Sequence, residues 1–192
     1  MNRIIIAMVG SVLALTVAMP AVAQFGGGGA SAEFLEAVRG KDQGKLALLL
    51  QSKPPGLVNA RGSDGDSGLL IAIRRRDEDF TGFLLNAGAD PNLAGKGGEI
   101  PLVAAARFGF DTAIEWLLQI GAKVDGTNRG GETALIVAVQ QREPTIVRRL
   151  LAAGANPDKT DSMQGYSARD YAKRDPRARD ILKVITDKKP AS

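Results

Sequence analysis

The sequence predicts an all-α protein built as a repeat solenoid. Three observations carry that expectation. Similar blocks recur at a fixed spacing of 33 residues. Each block opens on a residue suited to start a helix and closes on a glycine suited to stop one. The chain contains no cysteine and no histidine, which removes disulfide frameworks, thiolate metal sites and the commonest general base.

The first segment reads as an address. Arg3 supplies a positive start, residues 4–19 are apolar and uncharged, and Pro20 precedes Ala21-Val22-Ala23, a small-x-small cleavage pattern. A secretory signal peptide over 1–23, cut after Ala23, is the expectation, and it places the mature chain in the periplasm or outside a bacterial cell. An uncleaved membrane anchor is the alternative, since residues 4–23 are just long enough to cross a bilayer. Residue 24 is glutamine, so no lipid-modified cysteine follows the cut. The four glycines at 26–29 lead to the expectation of a flexible linker over 24–30. They are not a phosphate-binding loop, because no Lys-Ser/Thr pair follows them.

The repeat itself aligns on Gly65-Asp66-Ser67-Gly68-Leu69-Leu70-Ile71-Ala72. It returns as Gly98-Glu99-Ile100-Pro101-Leu102-Val103-Ala104-Ala105 and as Gly131-Glu132-Thr133-Ala134-Leu135-Ile136-Val137-Ala138. Each block is followed by Phe83-Leu84-Leu85, Trp116-Leu117-Leu118 or Arg149-Leu150-Leu151, and then by a turn containing Gly88, Gly121 or Gly154. Ser67 and Thr133 stand at helix N-cap positions, and Pro101 at a first helical position where its missing N–H costs nothing. Leu69, Ala72, Leu84 and Leu85, with their equivalents, are expected in the core, as is Trp116.

A period of 33 with these matches resembles the ankyrin repeat. The resemblance implies pairs of antiparallel helices joined by β-hairpin-like loops, about five repeats in all. The domain would span 31–188, with an N-terminal cap repeat at 31–60, full repeats at 61–94, 95–127 and 128–161, and a C-terminal cap repeat at 162–188, before a tail at 189–192. Two departures stand out. Leu70, Val103 and Ile136 occupy the family's histidine position, and Ile100 has no side chain with which to cap its helix, at a cost of about 1 kcal/mol.

Charge and motifs narrow the function. From residue 24 to 158 there are 15 Lys+Arg against 16 Asp+Glu, while from 159 onward there are 9 against 5. The basic excess therefore belongs to the C-terminal cap, and no basic stripe marks a nucleic-acid surface. No metalloprotease, dithiol or serine-hydrolase motif is present. Asp64-Gly65-Asp66-Ser67-Gly68 lacks the remaining ligands of a calcium loop, and Asp77-Glu78-Asp79 reads as helix-start charge. No catalytic residue, cofactor or metal ligand is assigned.

The expected function is that of a monomeric, non-catalytic module that holds a partner protein, without nucleic acid and without a membrane anchor once the signal is removed. An immunity or inhibitor protein against an exported toxin or enzyme is the alternative, and an unrecognised enzyme a third. The resemblance places partners in the groove formed by loop tips and first-helix ends. Carried over by position, the groove residues are Ser63, Lys96 and Arg129 at the tips, then Asp66, Glu99 and Glu132, and then Arg74, Arg75, Arg107, Phe108, Gln140 and Gln141. Phe108 stands out because its repeat-mates Arg75 and Gln141 are polar, which makes it a candidate anchor.

Overall fold

The structure is a computed structural model and describes residues 27–52 and 56–187. Among these residues it is all-helical. Ten α-helices form five antiparallel pairs: α1 (Gly27–Gly40) with α2 (Gln43–Ser52), α3 (Gly68–Arg74) with α4 (Glu78–Asn86), α5 (Pro101–Arg107) with α6 (Asp111–Gln119), α7 (Ala134–Gln140) with α8 (Pro144–Ala152), and α9 (Ala168–Arg174) with α10 (Arg179–Asp187). First helices pack on first helices along the stack, and among the second helices α4 packs on α6, α6 on α8 and α8 on α10. The loops between pairs carry isolated antiparallel bridges, Arg61 with Ser67, Thr127 with Thr133 and Thr160 with Ser167, in place of full strands.

Local chemistry sets the helix boundaries. Ser67 Oγ accepts from Leu70 N–H at 3.4 Å and Thr133 Oγ1 from Ile136 N–H at 3.2 Å. Ser167 and Asp170 form a reciprocal capping box at the start of α9. Ile100 makes no side-chain cap, and Pro101 follows it at the first helical position. Asp77 caps α4 by accepting from Phe80 N–H at 3.2 Å. Burial pushes the Asp77 carboxyl up, but Lys41 Nζ at 2.6 Å and the Phe80 N–H outweigh it and hold the group below the usual carboxylate range. Gly88, Gly121 and Gly154 end the second helices in the left-handed region, at φ 86°, 89° and 94°.

The core runs the length of the stack. Leu69, Leu102 and Leu135, and Leu84, Leu117 and Leu150, are buried at equivalent positions, with Ala72, Ala105 and Ala138 between first helices. Leu70, Val103 and Ile136 are also buried, so the histidine position of the family serves here as an apolar seat beneath the next loop. Gly95 lies directly over Leu70, leaving no room for a Cβ.

Three expectations change. Helix α1 begins at Gly27, so residues 27–30 are helical and not a flexible linker. Packing of Phe34, Leu35 and Val38 fixes the helix, and its backward extension then gains one hydrogen bond per residue. Trp116 is not a core residue; it is half-exposed on the outer side of α6, because in each triplet the second residue points inward. Leu85 and Leu118 are likewise only half-buried, whereas Leu151 is buried. The expected signal peptide at 1–23, residues 24–26 of the linker and the tail at 189–192 lie outside the described residues. Among the described residues no helix is long and apolar enough to cross a membrane.

Candidate functional site: an ion-pair ladder beneath a row of loop tips

Asp66, Glu99 and Glu132 each stand immediately before an N-cap, and Arg74 and Arg107 end the first helices. The 33-residue stack brings each arginine between two of these acids. Arg74 pairs with Asp66 through Nη1, and donates to Glu99 Oε2 from Nη2 at 2.9 Å and from Nε at 3.3 Å. Arg107 donates from Nε to Glu99 Oε1 at 2.9 Å and from Nη2 to Glu132 Oε2 at 3.0 Å. Asn128 Nδ2 completes the row by donating to the same Glu132 oxygen at 2.7 Å. The result is a continuous ladder, Asp66–Arg74–Glu99–Arg107–Glu132, across three repeats. Burial opposes the charge on both arginines, but the flanking carboxylates outweigh it and raise their pKa values further.

The ladder stops where the sequence changes. Gln140 takes the third arginine position and is half-buried. In the last repeat Tyr166 replaces the acid, and the Arg174 guanidinium lies over its ring at 4.4 Å. Tyr171 meets Tyr166 edge-on at 5.7 Å and donates to Asp161 Oδ2 at 2.6 Å. Burial first, and this hydrogen bond second, push the Tyr171 hydroxyl up to about 12. Asp161 also accepts from the N–H groups of Met163, Gln164 and Gly165. Burial pushes its carboxyl up, but these donors together hold it below the usual range.

The expected groove residues other than Gln140 therefore separate into two groups. Asp66, Glu99, Glu132, Arg74 and Arg107 are joined to one another. Asp66 Oδ1 also accepts from Lys96 N–H at 3.0 Å, so its carboxylate is committed within the fold. Ser63, Arg75, Lys96, Phe108, Arg129 and Gln141 are exposed. Arg75 donates to the Arg39 carbonyl at 2.8 Å, whereas Lys96 and Arg129 form no ion pair among the described residues. Phe108 caps α5 with 38% of its surface open. Backbone bonds set the tips in one row: Arg129 N–H donates to Gly97 O at 3.0 Å, and Ser162 N–H to Gly130 O at 2.9 Å.

Two features escaped the sequence reading. Met163 is the most exposed large apolar side chain among the described residues and extends the row of tips. On the opposite turns, Asn59, Asn92 and Asp125 each accept from a backbone N–H 31 residues on, at Asp90, Lys123 and Asn156, at 2.8–2.9 Å. Their spacing of 33 is a signal in the sequence, but it lies on the turns away from the groove columns.

A stack of antiparallel helix pairs with hydrogen-bonded loop tips defines a helical-repeat binding scaffold. A family model described as ankyrin repeats (3 copies) matches residues 34–128 and 69–161, more than half of the chain, and the chain belongs to the ankyrin-repeat family. A search of curated proteins finds no match. Ankyrin repeats are in general modules for protein–protein interaction and are typically non-catalytic.

Proposed function

We propose that this chain is an exported interaction module that holds a partner protein against its loop tips and first-helix ends, without turnover. The observation that carries the reading is the ladder. It joins Asp66, Glu99, Glu132, Arg74 and Arg107 to one another, and leaves Lys96, Arg129 and Phe108 among the exposed groups of that face. A partner surface that answers them carries carboxylates beside an apolar contact, because opposite charge steers encounter and a central aromatic anchors it. The export part rests on Arg3, the apolar run 4–19 and Ala21-Val22-Ala23.

Crosslinking in intact cells tests the binding face. The wild type captures a discrete protein that Lys96→Ala/Phe108→Ala/Arg129→Ala captures poorly. Equal capture by both removes the assignment. Arg107 is unsuitable as a probe, since its loss would break the ladder. N-terminal sequencing of the exported chain is expected to start at Gln24, and a start at Met1 would favour a retained anchor.

A further inference from the structure

The second helices carry their own column of equivalent positions on the outer face: Leu48, Phe83, Trp116 and Arg149. Between α6 and α8 this column shows how a cation is held. Arg149 reaches back across α6 and donates from Nε and Nη2 to the two oxygens of Asp111, each at 2.8 Å, and from Nη1 to Glu115 Oε2 at 2.9 Å.

One repeat earlier the same three positions are Glu78 for Asp111, Gly82 for Glu115 and Trp116 for Arg149. Trp116 reaches back over α4 in the same way, and a Cβ on Gly82 would stand 3.4 Å from its Cζ3. The carboxylate of Glu78 remains, Asp79 adds a second, and both are exposed. The neighbouring Lys41 is held by Asp77. Among the described residues neither Glu78 nor Asp79 forms an ion pair. The result is an open cleft lined by Gln43, Glu78, Asp79, Gly82, Phe83, Asn86 and Trp116, in which an aromatic ring stands where the neighbouring repeat supplies a cation. Ile120, 46% exposed, lines the adjoining pocket with Leu85, sharing Gly82 and Trp116 with this cleft.

We propose that this outer cleft between α4 and α6 receives a basic side chain, arginine or lysine, borne by an apolar segment of a partner protein. The carboxylates supply opposite charge, the face of Trp116 attracts a cation through its ring quadrupole, and Leu85 and Ile120 beside it meet the flanking apolar residues. The site is distinct from the loop-tip face and takes the opposite charge.

Trp116 is the single tryptophan of the chain, so its fluorescence reports on the cleft directly. The full chain is titrated with the peptide acetyl-Leu-Arg-Leu-Arg-Leu-amide and with its twin in which citrulline replaces arginine. The expected result is a saturable change in Trp116 emission with the arginine peptide and at least tenfold weaker binding of the neutral twin. Glu78→Gln/Asp79→Asn weakens the arginine peptide at least tenfold with circular dichroism unchanged; the two peptides decide the matter even if that variant folds poorly. Equal binding of both peptides makes the occupant a neutral apolar segment and overturns the proposal. So does an unsaturable response, or a concentration-dependent emission shift without peptide, which marks a second copy of the chain. Lys96→Ala/Phe108→Ala/Arg129→Ala leaves the titration unchanged; loss of binding there would move the peptide to the other face and overturn the proposal too.

Discussion

At the turn between the first and second helix of four repeats the backbone enters the left-handed region, and only one of the four residues is suited to it. Lys41, Arg76 and Arg142 stand at φ 58°, 53° and 58°, while Gly109 takes the same place at φ 61°. A side chain there costs about 1–2 kcal/mol, against about 0.5–1 kcal/mol for the extra freedom of glycine in the unfolded chain. Arg76→Gly is therefore expected to raise stability by up to about 1 kcal/mol, seen as a higher midpoint in urea; a lower midpoint would show that the arginine contributes a contact. Asp161 gives a pH-dependent counterpart. Its folded-state pKa is lowered, so its contribution is present above the unfolded value near 3.8 and is lost as pH falls through the folded value. The stability gap between wild type and Asp161→Asn, about 1–2 kcal/mol, is expected to be constant at neutral pH and to close below pH 3.8. Tyr171 has the opposite sense. Its raised pKa adds stability below the unfolded value of 10.0, lost as pH rises toward about 12, and the phenolate absorbance step near 12 should vanish in Tyr171→Phe.

Two sets of ion pairs at the scale of elements differ in weight because they differ in burial. The side chain of Glu99 is 14% exposed and holds two arginines. Glu99→Ala leaves both without a shared acceptor and is expected to cost about 2 kcal/mol. Glu115 on the outer face is 46% exposed, and Arg149→Ala is expected to cost under about 1 kcal/mol, since water and salt screen such pairs. Denaturant melts of the two variants check the contrast, which fails if Arg149→Ala costs as much as Glu99→Ala. The loop that seats the ladder depends on Gly95. A methyl there would press on Leu70 and the Asp66 carboxylate, so Gly95→Ala is expected to destabilise by about 1–3 kcal/mol.

At the scale of the molecule, the principal helix contacts among the described residues join neighbouring repeats, so the central pairs are clasped from both sides and the terminal pairs from one. Hydrogen exchange is expected to be slowest in α5 and α7 and fastest in α1, α2 and α10. Uniform exchange would instead show a single cooperative unit. The stack also explains how one chain offers two faces of different charge. The ladder neutralises the acids of the loop face, whereas in the outer cleft Glu78 and Asp79 form no ion pair among the described residues.

The sequence by itself determined the repeat, the helix starts at Ser67, Pro101 and Thr133, and the stops at Gly88, Gly121 and Gly154. These are local effects of period, hydrogen-bond geometry and backbone freedom. The positions of the groove column were legible for the same reason, since a fixed period carries a residue to the same place in every repeat. Only the tertiary structure decided which charges on that face remain free. Arg74 meets Glu99 from 25 residues away, and Arg107 meets Glu132 across the same gap, so pairing depends on how adjacent repeats register. The same packing turned Trp116 outward over Gly82, against the core place that the triplet pattern implied.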